Sequence, residues 1–103
     1  MSEVEHMQIE GGDLAYQCFG DAGAPVLLIM GFAMPGRAWS NQLPLADAHQ
    51  VAYYDHLGVG DSTPLQVRRL RMRDMVEHAL GLMDHLGWRD AHVVGVSMGG
   101  MIA

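Results

Sequence analysis

Ser97 is the residue of this chain whose type and surroundings best suit chemistry. It lies in the pattern Gly95-Val96-Ser97-Met98-Gly99, with one further glycine, Gly100, directly after it. The apolar run from His92 to Val96 predicts a strand, and the small residues after the serine predict the start of a helix. A serine on a sharp strand-to-helix turn exposes its hydroxyl, and the glycines give room for nearby backbone. We therefore interpret Ser97 as a nucleophile; the alternative is an ordinary serine in a glycine-rich turn.

A nucleophilic serine needs donors for the oxyanion that it creates. The segment Met30-Gly31-Phe32 directly follows an apolar run, Val26 to Met30, that predicts a strand buried on both faces. Because ligands of α/β sheets bind at the carboxyl ends of strands, the backbone amides of Phe32 and Met98 are candidates for the two donors. An ordinary loop with a core-packed phenylalanine is the alternative.

A third segment, Tyr54 to Ser62, is rich in glycine and acidic residues and also follows a predicted strand, Val51 to Tyr54. Asp55 and His56 are adjacent in it and are of the types found in catalytic pairs. Neighbouring side chains on an extended segment point to opposite sides, so they are poorly placed to act together. We expect this loop to support the site structurally.

The elements that must position these segments follow from turn residues and periodicity. Two β-type runs separated by glycines predict an N-terminal hairpin. Apolar residues at three- and four-residue steps predict an amphipathic helix, which Gly87 ends. Its apolar stripe consists of Met72, Met75, Val76, Ala79, Leu80, Met83 and Leu86. A second helical pattern is limited by Pro44. The order of elements predicts an α/β fold, with a hairpin followed by a mostly parallel sheet with flanking helices. The runs concerned are Val4 to Ile9 and Leu14 to Phe19 (hairpin), Leu70 to Leu86 (helix) and Arg37 to Asp47 (second helical pattern).

Composition excludes several classes of function. The chain has 103 residues, which suits one domain, and its net charge of -6 gives no support to nucleic-acid binding. Cys18 is the only cysteine, so no intrachain disulfide forms, and no apolar run has the length of a membrane span. No grouping of metal-ligating residues has a suitable spacing. We expect a cytoplasmic protein that needs no metal or cofactor and does not associate with membranes.

Taken together, these segments resemble the N-terminal part of the α/β-hydrolase fold superfamily, in order and in spacing. The match covers Leu27-Leu28-Ile29-Met30-Gly31-Phe32, then Trp39, and then Tyr54 to Ser62. It continues through the helical segment from Met75 to Gly87 and ends with Val94 to Gly100. The resemblance implies that Ser97 is the nucleophile and that the Phe32 and Met98 amides form the oxyanion hole. Met30 stands where the family usually has histidine, and Leu57 where it usually has arginine. A serine at position 97 argues against haloalkane dehalogenase and epoxide hydrolase chemistry.

The other catalytic groups of such an enzyme are missing. In this family the acid and the histidine follow the serine, but only Met98 to Ala103 follow it here, and all six histidines precede it. None of the six is assigned as the base. We expect residues 1–103 to form a partial domain, truncated after the elbow, with low stability and little activity on its own.

Three hypotheses of function result. The first is a serine hydrolase that acts on a carboxylic ester, a lactone or a related small carbonyl substrate. The second is a non-catalytic binding or assembly module, because the last strand would be an exposed sheet edge open to self-association. The third, a nucleotide-binding half-domain using Gly95 to Gly100, lacks both the Gly-x-Gly-x-x-Gly pattern and a P-loop lysine.

Overall fold

A five-stranded sheet with helices packed against it forms the structure. The computed structural model describes residues 3–10, 12–31, 33–62 and 71–103. Its elements are β1 (Glu5–Ile9), β2 (Gly12–Phe19), β3 (Pro25–Ile29), a 3₁₀ helix (Gly36–Asp47), β4 (Gln50–Tyr54), α1 (Met72–His85), β5 (His92–Gly95) and α2 (Met98–Ile102). Every predicted strand is present within a residue or two of its predicted bounds.

The sheet has the strand order β1-β2-β4-β3-β5. β1 and β2 form the predicted antiparallel hairpin, and β2 is also antiparallel to β4. β3 runs parallel to β4 on one side and to β5 on the other. The sheet is therefore mixed, with its parallel part around β3, and the α/β class with an N-terminal hairpin is confirmed.

β3 is buried on both faces, as its continuous apolar sequence predicts. Leu27 and Ile29 belong to the cluster that packs under α1 and α2, whereas Leu28 and Met30 pack with Trp39 of the 3₁₀ helix. Since side chains alternate between the faces of a strand, this division requires apolar residues at every position. The end of β3 is consequently buried on both faces at the point where the next loop leaves the sheet.

The apolar stripe of α1 is narrower than the sequence pattern predicts. Met75, Ala79 and Leu82 are buried against the sheet, but Leu80 is 56% exposed and Met72 is 38% exposed. At 100° per residue, Leu80 points away from the face that Ala79 and Leu82 share. Spacing alone therefore overestimated the width of the buried face.

Gly87 ends α1, as predicted, through a specific backbone motif. Its φ of 76° is in the left-handed region, which glycine adopts without steric strain. Its N–H donates to the Asp84 carbonyl at 3.0 Å, and the Trp88 N–H donates to the Met83 carbonyl at 2.8 Å. These two bonds form a Schellman motif. No helix in the described ranges combines the length and apolar character needed to cross a bilayer.

The region around Pro44 is a 3₁₀ helix of 12 residues instead of an α-helix. Proline has no N–H to donate and restricts the residue before it, so a regular α-helical ladder is not available there. Trp39 is the buried anchor of this segment. Leu43 packs beside it, which agrees with the helical spacing of these two residues in the sequence.

β5 forms one edge of the described sheet and pairs with β3 alone. Val93 and Val94 in the strand, and Val96 just after it, are 40%, 44% and 45% exposed. The prediction of an exposed last strand is therefore confirmed for the residues that the structure describes.

Candidate active site

Ser97 lies on a strained turn between β5 and α2. Its φ of 54° and ψ of -119° place it in a region that residues with a Cβ rarely adopt. The side chain is exposed, and its oxygen caps no backbone amide of α2. The turn thus presents a hydroxyl that its own backbone does not use.

Close backbone approaches explain two of the glycines around Ser97. A Cβ at Gly95 would overlap the Gly99 carbonyl, and a Cβ at Gly99 would overlap the Ile29 carbonyl and lie 2.8 Å from the Met30 oxygen. At Gly100 a Cβ would come no nearer than 3.5 Å to other atoms, which is an ordinary contact. The expectation that Gly100 extends the clearance is therefore wrong, because a Cβ fits there in ordinary van der Waals contact.

The loop that follows β3 passes directly beside Ser97. A Cβ at Gly31 would lie 3.3 Å from the Val96 carbonyl oxygen and 3.4 Å from the Ser97 Cβ. The Val96 N–H also donates to the Ile29 carbonyl at 3.1 Å, which fastens the elbow to the end of β3. Phe32 lies outside the described residues, so the role of its amide stays a prediction.

Met98 occupies the first position of α2, directly after the serine. Amides in the first turn of a helix have no partner inside the helix. The Gly99 and Gly100 amides donate to the Val96 and Ser97 carbonyls at 2.9 Å each, whereas within the described residues the Met98 amide has no backbone acceptor. Among the described residues it is therefore an unpaired backbone donor directly after Ser97.

The loop after β4 is held by its own polar side chains. The Asp55 carboxylate accepts hydrogen bonds from the Gly36 N–H at 2.6 Å and from the Asp61 N–H at 2.8 Å. The Ser62 hydroxyl donates to the Asp55 carbonyl at 2.6 Å and accepts from the Ala15 N–H at 2.8 Å. These contacts give Asp55 and Ser62 a structural role, in agreement with the expectation for this loop.

His56 points away from these contacts and towards the end of β3. Its Nε2 lies 2.7 Å from the Met30 carbonyl oxygen, and the residue is only 3% exposed. A carbonyl oxygen can only accept, so Nε2 carries the hydrogen. The ring packs edge-on against Tyr54, with 5.3 Å between centroids. Burial raises the pKa of the Tyr54 phenol, which keeps it protonated in this setting.

The sequence did not indicate this contact, although it held a signal. His56 lies just beyond β4, and Met30 lies just beyond its parallel neighbour β3. A donor at the end of one strand is close to the first carbonyl that leaves the ladder of the next strand. The identity of that donor follows only once β3 and β4 are known to be neighbours.

No histidine hydrogen-bonds to Ser97 in the part of the chain that the structure describes, which includes all six histidines. His85 Nε2 lies 3.1 Å from the Tyr16 hydroxyl, and His49 contacts the Leu45 carbonyl. Burial lowers the pKa of His78 on α1. The described residues also contain no group of three or more side chains suited to hold a metal ion. Among the described residues, the candidate nucleophile Ser97 therefore has no histidine bonded to it that could accept its proton.

Comparisons with known proteins agree with this geometry. A family model described as the alpha/beta hydrolase fold matches residues 24–103. A protein of Azorhizobium caulinodans named as a carbamate hydrolase, RutD, is 39% identical over 95 residues, covering 87% of this chain and 34% of its own length. Rhodomycin D methylesterase DauP of Streptomyces sp. strain C5 is 34% identical over 86 residues, covering 79% of this chain and 29% of its own.

A solved structure gives the same result in three dimensions. The crystal structure of a hydrolase from Pseudomonas aeruginosa PA01 superposes with a TM-score of 0.89 at 29% identity, covering 96% of this chain and 38% of that protein. The chain spans about a third of the length of these relatives. With a family model that matches most of its residues, the chain belongs to the α/β-hydrolase fold family.

Proposed function

We propose that this chain supplies the nucleophile and the oxyanion hole of a serine hydrolase that acts on small carboxylic esters, lactones or related carbonyl compounds. The observation that carries the proposal is the position of Ser97, whose exposed hydroxyl lies on a positive-φ turn directly against the Gly31 loop. Strained backbone at a non-glycine residue is energetically costly, and such strain clusters at functional sites.

In the proposed reaction, Ser97 Oγ attacks the carbonyl carbon of the substrate and its proton passes to a histidine base. The carbonyl oxygen becomes an oxyanion, which accepts hydrogen bonds from the Met98 and Phe32 amides. Collapse of the tetrahedral intermediate breaks the bond to the leaving group, which takes the proton from the base. Water then hydrolyses the acyl-serine, which releases the acid and restores Ser97.

The substrates stated in the names of two relatives support this substrate class. A carbamate and a methyl ester both carry a carbonyl carbon bonded to a heteroatom that leaves on hydrolysis. Attack by a serine hydroxyl and stabilisation of an oxyanion are common to both. We infer a small-molecule substrate of this type and assign no cofactor to the reaction.

The proton acceptor and its orienting acid belong, in this proposal, to residues beyond these 103. Among the described residues no histidine hydrogen-bonds to Ser97, and the carboxylate of Asp55 is engaged by two backbone amides. Because α/β-hydrolases place acid and histidine after the serine, the test requires the longest natural product that contains this sequence.

The decisive experiment is labelling of that protein with a fluorophosphonate probe, which reacts with activated serines. We expect one labelled site, identified as Ser97 by peptide mass spectrometry, and no labelling of the Ser97→Ala variant. Ser62→Ala is the matched control, because it removes a serine hydroxyl that is already hydrogen-bonded. Absence of labelling in the folded wild-type protein, or labelling that survives Ser97→Ala, would contradict the proposal.

A second candidate function is an assembly module built on the edge strand β5. The exposed valines at positions 93, 94 and 96 and the unpaired outer side of β5 favour it, because such edges pair with other chains. In this alternative a second copy of the chain adds its own β5 to the edge.

Sedimentation of the 103-residue chain distinguishes this alternative. A concentration-dependent dimer that Val94→Lys dissociates would support it, since a charge on an edge strand opposes pairing. Val4→Lys is the matched control, because Val4 is similarly exposed, at 42%, but lies outside β5. A monomer at all concentrations would exclude the assembly role.

A further inference from the structure

The Met30 carbonyl is the first one beyond the end of β3, and it is held by a side chain. Met30 is buried, at 7% exposure, and follows Ile29, the last residue of the strand. The Ile29 carbonyl is bonded by the Val96 amide, whereas the Met30 carbonyl accepts from His56 at 2.7 Å. A buried carbonyl without a donor is strongly unfavourable, so His56 replaces the ladder bond that β3 has just lost.

His56 is well fixed for this task. The residue is 3% exposed, and its ring packs at 77° against the buried ring of Tyr54. Its own carbonyl accepts from the Val59 amide at 2.9 Å, and its neighbour Asp55 is bonded to the Gly36 and Asp61 amides. Both its backbone and its ring are therefore constrained before any ligand arrives.

Fixing the Met30 carbonyl also fixes the start of the loop beside Ser97. The carbonyl and the next N–H share one rigid peptide plane, so His56 sets the orientation of the Met30–Gly31 peptide. Gly31 is the residue that packs against Ser97, where its Cβ would be 3.4 Å from the serine Cβ. The peptide after it carries the Phe32 amide. One hydrogen bond thus controls the direction in which the chain leaves β3 towards the serine.

We propose that His56 is a positioning residue of the active site: its Nε2–H holds the Met30 carbonyl and thereby orients the Met30–Gly31 peptide beside Ser97, directly before Phe32, whose amide is the predicted oxyanion donor. This inference rests on the proposed function of Ser97 and Phe32. In this role His56 transfers no proton and contacts no substrate. Its effect is on the geometry of the oxyanion hole, so transition-state stabilisation depends on it more than substrate binding does.

The test compares His56→Gln with His56→Asn in the longest natural product that contains this sequence. The glutamine amide nitrogen reaches about as far as Nε2, whereas the asparagine nitrogen falls one bond short. Turnover of p-nitrophenyl acetate is measured and divided by the concentration of active sites, which fluorophosphonate titration gives. We expect His56→Asn to lower kcat about 10- to 100-fold with KM nearly unchanged. We expect His56→Gln to stay within about threefold of wild type, because the hydrogen bond is restored.

His85→Asn is the matched control for stability. His85, the last residue of α1, also bonds through Nε2, but to the Tyr16 hydroxyl and not to the loop after β3. It should lower the melting temperature without changing kcat per titrated site. A merely structural role for His56 would produce the same pattern as His85.

A second readout does not depend on turnover. Residues 1–103 contain two phenylalanines, Phe19 and Phe32, and their amide signals in the ¹⁵N-phenylalanine-labelled longest natural product are assigned with Phe19→Leu and Phe32→Leu variants. We expect His56→Asn to shift or broaden the Phe32 signal and leave Phe19 in place, and His56→Gln to return Phe32 to its wild-type position.

The outcomes separate the two proposals. Wild-type kcat in His56→Asn, or equal loss in both variants, would overturn the role of His56 while fluorophosphonate labelling of Ser97 still stands. If His56→Asn fails to fold, His56→Gln is the deciding variant. A kcat within threefold of wild type would support the role of His56, and a larger loss would contradict it. Turnover that survives Ser97→Ala would instead overturn the proposed function itself.

Discussion

The loop after β4 and the elbow after β5 leave the same edge of the sheet, yet they stabilise their backbones by different means. In the loop, Asp55 and Ser62 bind backbone groups of Gly36, Asp61 and Ala15. In the elbow, Gly95 and Gly99 allow the backbone segments to approach closely, because they have no Cβ. Its polar side chain, Ser97, is exposed and caps no amide. Side-chain hydrogen bonds stabilise the loop after β4, whereas the elbow after β5 depends on glycines that leave room for neighbouring backbone.

This difference separates structural polar residues from reactive ones. Aspartate, histidine and serine all occur in the loop after β4, and by residue type alone they resemble catalytic groups. Three of them are engaged there: Asp55 accepts from the Gly36 and Asp61 amides, Ser62 bonds to the Ala15 amide and the Asp55 carbonyl, and His56 bonds to the Met30 carbonyl. Ser97 is the polar side chain at this edge whose strained backbone presents it to solvent. Availability of a group, more than its type, identifies the candidate nucleophile.

The largest effect is expected where the elbow loses its clearance. Gly99→Ala would place a Cβ onto the Ile29 carbonyl, and backbone cannot move aside as a flexible side chain can. We expect a loss of about 3 kcal/mol in the free energy of unfolding, at the upper end for overpacking. Gly100→Ala is the matched control: its Cβ has space, and alanine favours the helix by about 0.5–1 kcal/mol. Urea denaturation measures both, and equal effects would contradict the clearance argument.

In the loop the corresponding test removes a charge. Asp55→Asn keeps the shape but replaces one acceptor with a donor that faces the Gly36 or Asp61 amide. We expect a loss of about 2 kcal/mol, since hydrogen bonds to charged groups contribute about 1.5–3 kcal/mol. Asp47→Asn, at an exposed position, should have no measurable effect. If both variants unfold at the same urea concentration, the carboxylate does not hold this loop.

A smaller effect is expected at Ser62, the other polar side chain of the loop. Ser62→Ala leaves the buried Ala15 amide without its acceptor and the Asp55 carbonyl without its donor. The expected loss in the free energy of unfolding is about 1–2 kcal/mol, with fluorophosphonate labelling of the longest natural product that contains this sequence unchanged. Ser40→Ala, at an exposed serine, provides the control and should change stability by less than about 0.5 kcal/mol. Loss of labelling in Ser62→Ala would place this serine in the site and break the comparison.

Local patterns predicted the elements of the fold well. Glycines between two β-type runs gave the hairpin, the continuous apolar run gave the buried strand β3, and Gly87 gave the end of α1. These features depend on residues close in sequence. The strand order β1-β2-β4-β3-β5 was not predicted, because pairing between distant strands leaves little trace in either strand alone.

The same limit applied to the site. The strand–turn–helix setting of Ser97 was predicted from seven or eight consecutive residues, and the structure places such a turn there. The contact of His56 with the Met30 carbonyl joins residues 26 apart, and that of Asp55 with the Gly36 amide joins residues 19 apart. Both contacts can be predicted only once β3 and β4 are known to be neighbours in the sheet. The sequence therefore indicated which residues are candidates for chemistry, but it did not reveal the long-range hydrogen bonds that position the loops around them.

The smallest effect concerns the strain at Ser97 itself. Glycine adopts a φ of 54° without the clash that a Cβ causes, which is worth about 1–2 kcal/mol, but it loses about 0.5–1 kcal/mol through its more flexible unfolded state. Ser97→Gly should therefore raise the free energy of unfolding by about 0.5–1 kcal/mol while it abolishes fluorophosphonate labelling. Ala33→Gly is the matched control, because Ala33 has a φ of 60°, the other positive value among described non-glycine residues. It should gain similar stability and keep the label. If Ser97→Gly were instead less stable than wild type, the elbow would not store strain, and its difference from the loop after β4 would be one of exposure only.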